Sequence, residues 1–362
     1  MSSVDVTSAP VRTLRRAVSA LDPHPLPATS LELAYGKRLM LFSGRANPEL
    51  AARIGSKLGV DLGGVTLKTF ADGEVYCRYL ESIRGADVFI VQPTCGNPRL
   101  GMTPNDSLME LLLMIDAAVG DSAHRVIAVT PWFGYSRQDK KSSPREPISA
   151  RLVARALESA GADRVLTMDL HAGQIQGFFN IPVDHMTSLP LFAQYFRETR
   201  GLSGDGIASV SPDPGRAKMA VKFGQMLEAD FAILHKTRPT HDVATVTEVT
   251  GRVRDKIALM GDDIISTGGT LIAGARALRE AGAKEVHIFA THGLFAKDSL
   301  QRLGEAEEVD SITVTDTVPI DPIHRPDKVT VLSVAGLLGE TIWNVFSDES
   351  VSAIFAGENQ LF

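Results

Sequence analysis

The residues best suited to chemistry lie together in KIALMGDDIISTGGT, residues 256–270. An apolar run at 257–260 has the length of one buried strand, and two adjacent acids, Asp262 and Asp263, follow it. Small residues come next: Ser266, Thr267, Gly268, Gly269 and Thr270. The following LIAGARALREAGA reads as an amphipathic helix closing at Gly282. Strand, turn and helix together present free backbone N–H groups at a helix N-terminus, which suits a phosphate. Glycines allow close approach, and the Ser and Thr hydroxyls add donors. Carboxylates repel a phosphate but accept hydrogen bonds from the neutral hydroxyls of a sugar. The stretch therefore predicts one ligand with a phosphate at one end and a diol at the other, a pentose 5-phosphate. Glycine-rich turns also occur in ordinary strand–helix connections; the paired acids set this one apart.

Other loops carry reactive side chains. FADGE, residues 70–74, joins two strand-like runs. Asp-Gly is a common hairpin turn; as a site, Phe70 would lie against a base ring while Asp72 and Glu74 accept from an exocyclic amine. SRQDKK, residues 136–141, is a basic loop after a strand, the place where α/β sheets bind ligands. There Arg137 can grip phosphate oxygens bidentately, or belong to a solvated charge run. MDLHAGQIQGFF, residues 168–179, puts Asp169 and His171 at another strand end. His171 could ligate a metal, act as a base, or be a satisfied structural histidine. SPDPGR, residues 211–216, offers Asp213 and, at a helix start, Arg216. Magnesium needs hard oxygen ligands, so spacing alone does not nominate His171. In HKTRP, residues 235–239, Lys236 and Arg238 point to the same side if the segment is extended. Two cations there would stabilise charge developing on a transferred phosphoryl group, unless the segment is a plain surface loop. The chain has neither G-x-x-x-x-G-K-[ST] nor G-x-G-x-x-G, so any nucleotide is held by a different scheme.

These loops need strands to carry them. From Arg38 onward, strand-like runs such as RLMLFSG, DVFIVQP, RVIAVTPWF and RVLTMDL alternate with helical ones such as SLMELLLMIDAAV. That alternation predicts an α/β chain with doubly wound, mostly parallel sheets. The pattern restarts after His185, with strands at GIASVSP, FAILHK, TVTEVT, EVHIFATHG and DSITVTDTV. The expected layout is a first domain over 37–186 and a second over 187–339. A last helix in 340–362 joins the first domain. Residues 1–36, rich in proline and small polar residues, read as a mobile tail. Their lack of a long apolar core excludes a secretory signal.

Composition narrows the class. Hydrophobic residues make up 44% of 362, enough for sizeable cores, and the length suggests two domains. A net charge of −6 gives no global pull toward nucleic acid or an anionic membrane. Cys77 and Cys95 have no metal spacing and suggest a reducing compartment, the cytoplasm. No stretch approaches the ~18–20 apolar residues of a membrane helix.

Together and in this order, NPEL, F-x-D-G-E, ESIRG, MELLLMIDA, RQDKK, REPISARL, DLHAGQIQGFF, VDHM, SPD-x-GR, K-x-RP, DDII-x-TGGT and SVS-x-IF resemble the ribose-phosphate pyrophosphokinase family from Arg38 to Phe355. The resemblance implies two tandem phosphoribosyltransferase-like domains. It implies transfer of the β,γ-diphosphoryl group of Mg-ATP to the 1-hydroxyl of ribose 5-phosphate, giving 5-phospho-α-D-ribose 1-diphosphate and AMP. It assigns ATP to Phe70, Asp72, Gly73, Glu74, Arg137 and Gln138, and magnesium to His171 and Asp213. Lys236 and Arg238 become the catalytic pair. Arg238, Asp262, Asp263, Ser266, Thr267, Gly268, Gly269 and Thr270 become the ribose 5-phosphate site. The partners it implies are the two substrates and further copies of the chain, as dimers that assemble into hexamers. Ser266 stands where the family usually has an aspartate, Ser142 and Ser143 replace charged residues, and the segment at 96–104 is longer than usual. A phosphoribosyltransferase needs none of FADGE, RQDKK and K-x-RP. A non-catalytic regulatory relative usually carries altered catalytic loops, whereas Lys236 and Arg238 are intact.

Overall fold

The computed structural model describes residues 30–32, 36–237 and 246–352. Two sheets carry the fold. The first has the order β1 (Ser30–Glu32), β2 (Arg38–Ser43), β5 (Asp87–Val91), β6 (Arg125–Thr130), β7 (Arg164–Met168), β8 (Val183–Met186). Between β2 and β5 the chain forms an antiparallel hairpin of β3 (Val65–Thr69) and β4 (Val75–Tyr79). The second sheet has the order β11 (Val246–Gly251), β10 (Asp230–Thr237), β9 (Ile207–Ser211), β12 (Ile257–Ile265), β13 (Glu285–Gly293), β14 (Ser311–Thr315), β15 (Val329–Leu332). Only the edge strands β1 and β11 pair antiparallel; the rest of both sheets is parallel, as the alternation predicts.

Strand alternation feeds two cores per sheet. Met40 and Phe42 face one side of β2, against Leu111, Met114 and Ile115 of α2 (Pro104–Gly120) and Val153 and Leu157 of α3 (Ser149–Ala160). Leu39 and Leu41 face the other side, against Leu50 and Ile54 of α1 (Pro48–Leu58) and Leu338, Ile342 and Phe346 of α8 (Ala335–Ser347). The last helix thus belongs to the first core although it follows the second sheet. In β12, Met260 packs with Leu271 and Leu278 of α6 (Gly269–Glu280), together with Leu303 of α7 (Ser299–Glu305). Leu259 packs on the opposite face, with Phe192 of α4 (Leu189–Gln194) and Phe223 of α5 (Ala217–Leu227). Each side chain buried this way contributes about 1.5–3 kcal/mol relative to exposure.

The two halves meet at the strand ends. Ala46, Cys95 and Trp132 from the first side form a small apolar cluster with Ile264 and Val318 from the second. Asn47 caps α1 by accepting from the Leu50 amide, and its Nδ2 donates to the Asp316 carbonyl at 2.7 Å. Arg53 of α1 pairs with the Asp316 carboxylate at 2.7 Å.

Some expectations are corrected. Ser30–Glu32, expected within a mobile tail, form β1 on the edge of β2, where an unpaired strand edge offers backbone partners. The last helix begins at Ala335, inside the range expected for the second domain. β15 and α7 were not anticipated. Residues 1–29 and 353–362 lie outside the described residues, as does Arg238.

Candidate active site

β12 brings the acid pair to the seam. Gly261 precedes it; a Cβ there would lie 2.3 Å from the ring of Phe289 on the paired strand β13, so glycine leaves the room that this ring occupies. Asp263 is buried, while Asp262 on the alternate strand face is partly exposed. The Asp263 amide donates to Asp262 Oδ1 at 2.8 Å. The turn then closes with Gly268 at φ +73°, a left-handed position that caps α6 without any side-chain bond. Its carbonyls are pinned from α7: Ser299 Oγ donates to Ser266 O at 2.7 Å and Arg302 Nη2 to Thr267 O at 2.7 Å. The first amides of α6 lack intrahelical partners by geometry, as a phosphate subsite requires.

Across the seam, His171 meets this pair. Its Nδ1 lies 2.7 Å from Asp263 Oδ2. Arg216, at the start of α5, places Nη2 2.7 Å from the same oxygen and 2.8 Å from His171 Nδ1. Its Nε lies 3.4 Å from Asp262 Oδ1. These contacts split the two acids. Burial first, and then the hydrogen bond and charge of Asp263, push Asp262 well above the usual carboxylate range. Burial also pushes Asp263 upward, but the hydrogen bond with His171 and the Arg216 charge outweigh it and hold this carboxyl low. Asp213, three residues before Arg216, is exposed, and its Oδ1 accepts from the Gly215 and Arg216 amides at 2.8 and 3.2 Å.

The loop carrying His171 is held by both halves. Asp169 has φ +35°, an uncommon conformation for a non-glycine residue. Its buried Oδ2 accepts from the Ser188 amide and hydroxyl at 2.9 and 2.8 Å and from Thr291 Oγ1 of β13 at 2.7 Å. Two histidines fix the adjoining backbone. His185 Nε2 accepts from the Leu170 amide at 2.9 Å, and burial lowers its pKa to about 4. His292 Nε2 faces the Met168 and Asp169 carbonyls at 3.1 and 3.2 Å, which makes that nitrogen the protonated one. Its Nδ1 then accepts from Thr317 Oγ1 at 2.9 Å, and burial lowers its pKa too.

The other predicted residues sit apart or further out. Phe70, Asp72 and Glu74 are exposed at the tip of the β3–β4 hairpin and keep their contacts within it. The Phe70 ring stands edge-on to Tyr76 at 5.8 Å, with Lys68 Nζ 4.9 Å from its centre. Gly73 takes φ +98° in the turn. Arg137 and Gln138 are exposed; Gln138 Oε1 accepts from Ser149 Oγ. Their loop is tied to the His171 loop by Gln174 Nε2, which donates to buried Asp139 at 2.7 Å. Ser142 and Ser143 donate their amides to Glu146 at 2.8 and 2.9 Å. Lys236 lies on β10 opposite Thr247, so the extended geometry assumed for HKTRP holds up to Thr237. Sequence reasoning missed Asp139, which is one more charge in the loop 136–141, and Thr291 and His292, whose signal is polarity inside the otherwise apolar end of β13, which spacing does not tie to a distant loop.

Segment 96–104 touches both halves. Asn97 Nδ2 donates to the Arg45 and Ala46 carbonyls at 3.0 and 3.3 Å, and Arg99 reaches Asp321 at 2.7 Å. Thr103 closes it by forming a capping box with Asp106 at the start of α2.

The chain is similar to known proteins over most of its length. Residues 39–161 match the N-terminal domain of ribose phosphate pyrophosphokinase, and residues 233–356 match the phosphoribosyl synthetase-associated domain. Ribose-phosphate pyrophosphokinase 1, chloroplastic, of Arabidopsis thaliana is 48% identical over 88% of this chain and 77% of its own. The ribose-phosphate pyrophosphokinase of a Nostoc species is 46% identical over 91% of this chain and 97% of its own. The crystal structure of phosphoribosylpyrophosphate synthetase from Mycobacterium smegmatis superposes with a TM-score of 0.79 at 44% identity, covering 86% of this chain and 99% of that one. On these matches, across nearly all of its described length, the chain belongs to the ribose-phosphate pyrophosphokinase family, enzymes of phosphoribosyl pyrophosphate synthesis.

Proposed function

We propose that the seam between the two sheets is where this chain joins ATP to ribose 5-phosphate. The observation that carries this is the acid pair Asp262–Asp263 leading into the Gly268-capped start of α6, directly across from the His171 loop. The sugar hydroxyls donate to the carboxylates, Asp262 being the more accessible. The 5-phosphate accepts from the amides and hydroxyls of Ser266, Thr267, Gly268, Gly269 and Thr270. The 1-hydroxyl then attacks the β-phosphorus of ATP, a new O–P bond forms, and the bond from that phosphorus to the oxygen of AMP breaks. No covalent enzyme intermediate is required; positioning and cationic stabilisation do the work. Lys236 and Arg238 supply that charge, with Arg238 also reaching the sugar phosphate. Phe70, Asp72, Gly73 and Glu74 hold the adenine, and Arg137 and Gln138 the rest of the nucleotide.

Magnesium fits the donors at the seam. The exposed Asp213 carboxylate is a hard oxygen ligand. His171 Nδ1 is engaged by Asp263 and Arg216, which leaves Nε2 as the nitrogen that would face a metal. Among the described residues no group of three or more His, Cys, Asp and Glu could hold a metal ion. His171 and Asp213 would therefore share an ion that nucleotide phosphates hold for the most part. Bound there, it would neutralise and orient the triphosphate.

The proposed domains are a first of residues 37–186, completed by β1 and by the returning last helix from Ala335, and a second from residue 187 up to that helix. The proposed assembly is a homo-oligomer of dimer units. The proposed setting is the cytoplasm, where Cys77 and Cys95, both free, remain reduced. Among the described residues no helix is long and apolar enough to cross a membrane.

AMP release from Mg-ATP and ribose 5-phosphate tests the reading. The wild type releases AMP, and Lys236→Ala loses nearly all of it with an unchanged thermal midpoint. A well-folded wild type without AMP release would support the regulatory alternative; a wild-type rate in Lys236→Ala would remove Lys236 from the mechanism.

A further inference from the structure

We propose that Arg216 is a further cation of the transfer site and binds the diphosphoryl group as it passes to the sugar. The role rests on the reading of the seam given above. Arg216 is 11% exposed and joins residues from both halves, His171 on one side and Asp262 and Asp263 on the other. It stands in the same turn as Asp213, between the residues assigned to the metal nucleotide and those assigned to the sugar hydroxyls. The group that changes hands has to pass between those two sets.

The bonding at Arg216 is suited to exchange. Asp263 Oδ2, His171 Nδ1 and Arg216 Nη2 lie within 2.7–2.8 Å of one another. Nδ1 carries either one proton or one lone pair. As a donor it serves Asp263 and opposes the Arg216 N–H; as an acceptor it serves Arg216 and opposes the carboxylate. All three cannot be satisfied at once, so the guanidinium holds one contact it can release at low cost. Among the described residues its Nη1 has no partner. A planar guanidinium with donors to spare matches phosphoryl oxygens bidentately. Near a diphosphoryl group in transfer it would add a positive charge where negative charge develops.

Steady-state kinetics of the full chain test this with Arg216→Gln, Arg216→Lys and Arg216→Ala. Arg216→Gln lowers kcat by about 100-fold, the loss expected on removing one preorganised donor, with the KM for ribose 5-phosphate within a few fold of wild type. Arg216→Lys keeps part of the rate. Millimolar guanidinium restores part of the rate of Arg216→Ala, and the same concentration of sodium chloride does not. An unchanged kcat in Arg216→Gln overturns the role. So does a loss confined to the KM for ribose 5-phosphate, which would make Arg216 only an orienter of the acids. A wild type that releases no AMP overturns the reading of the seam itself, and this role with it. An active wild type beside an unaffected Arg216→Gln overturns this role alone.

Discussion

Residues 262–270 and 70–74 are both tight, glycine-bearing turns next to a strand, yet they are built in opposite ways. The first begins inside a buried strand, is pinned by α7, and reaches His171 across the seam. The second is exposed, and its hydrogen bonds and ring contacts stay inside its own hairpin. The hairpin base is anchored all the same: Tyr79 donates its hydroxyl to the Met114 carbonyl of α2 at 2.8 Å. The difference teaches where function and stability are coupled. A change at the acid pair disturbs charge balance in a buried place and has to show in the fold as well as in the chemistry. A change at the hairpin tip removes the proposed adenine contacts and little else.

The sharpest way to break this comparison is Asp263→Ala. It strips the partner from His171 and Arg216 in a buried network, and breaking a buried pair costs about 3–5 kcal/mol. Denaturant unfolding shows a loss of that size, and AMP release disappears; unchanged stability would remove the coupling. Phe70→Ala is the counterpart. Loss of one stacking ring costs about 1 kcal/mol, so the KM for ATP rises about five- to tenfold. The unfolding midpoint and the KM for ribose 5-phosphate stay as in wild type. A fall in stability there would make the hairpin tip structural.

A smaller effect is graded with pH. His185 is neutral in the fold, with its pKa lowered by burial to about 4. Between that value and the ordinary value near 6.5, the unfolded chain binds a proton that the folded chain does not. Stability from this group is therefore complete above about pH 6.5 and is lost as pH falls toward 4. Thermal midpoints of His185→Gln, measured beside wild type over that window, fall less steeply. Equal slopes would show that His185 does not set the acid sensitivity of the seam. Arg99→Ala gives the smallest change. Its pairs with Asp321 and Glu49 are solvent-exposed, and such pairs contribute little. The unfolding midpoint stays within error of wild type; a clear drop would make segment 96–104 a real strap between the halves.

Much of this was legible in the chain. Leu39, Met40, Leu41 and Phe42 alternate between two cores because both faces of a parallel sheet are covered. The acid pair stood out because two carboxylates before a small-residue turn are hard to explain as packing. β15 escaped because VTVL is short and follows a charged, proline-containing loop, so its signal is weak. β1 escaped because its pairing with β2 is a contact that its own residues do not announce. The unequal fates of Asp262 and Asp263 were not readable either: they depend on Arg216, His171 and burial, which only the meeting of the halves creates. Arg216 was seen in sequence only as a residue at a helix start. The Asp169–Thr291 and His292 contacts join residues more than a hundred positions apart, beyond the reach of spacing arguments.

The central claim is that the acid pair takes the sugar hydroxyls of ribose 5-phosphate. Calorimetric titration of ribose 5-phosphate and of a non-hydrolysable ATP analogue into wild type and Asp262→Asn measures it most directly. The account predicts ribose 5-phosphate affinity lowered by about tenfold, the size of one lost hydrogen bond, because the amide of Asn offers one acceptor oxygen where the acid offers two, and an unchanged affinity for the analogue. Equal ribose 5-phosphate affinity in a folded Asp262→Asn would contradict it.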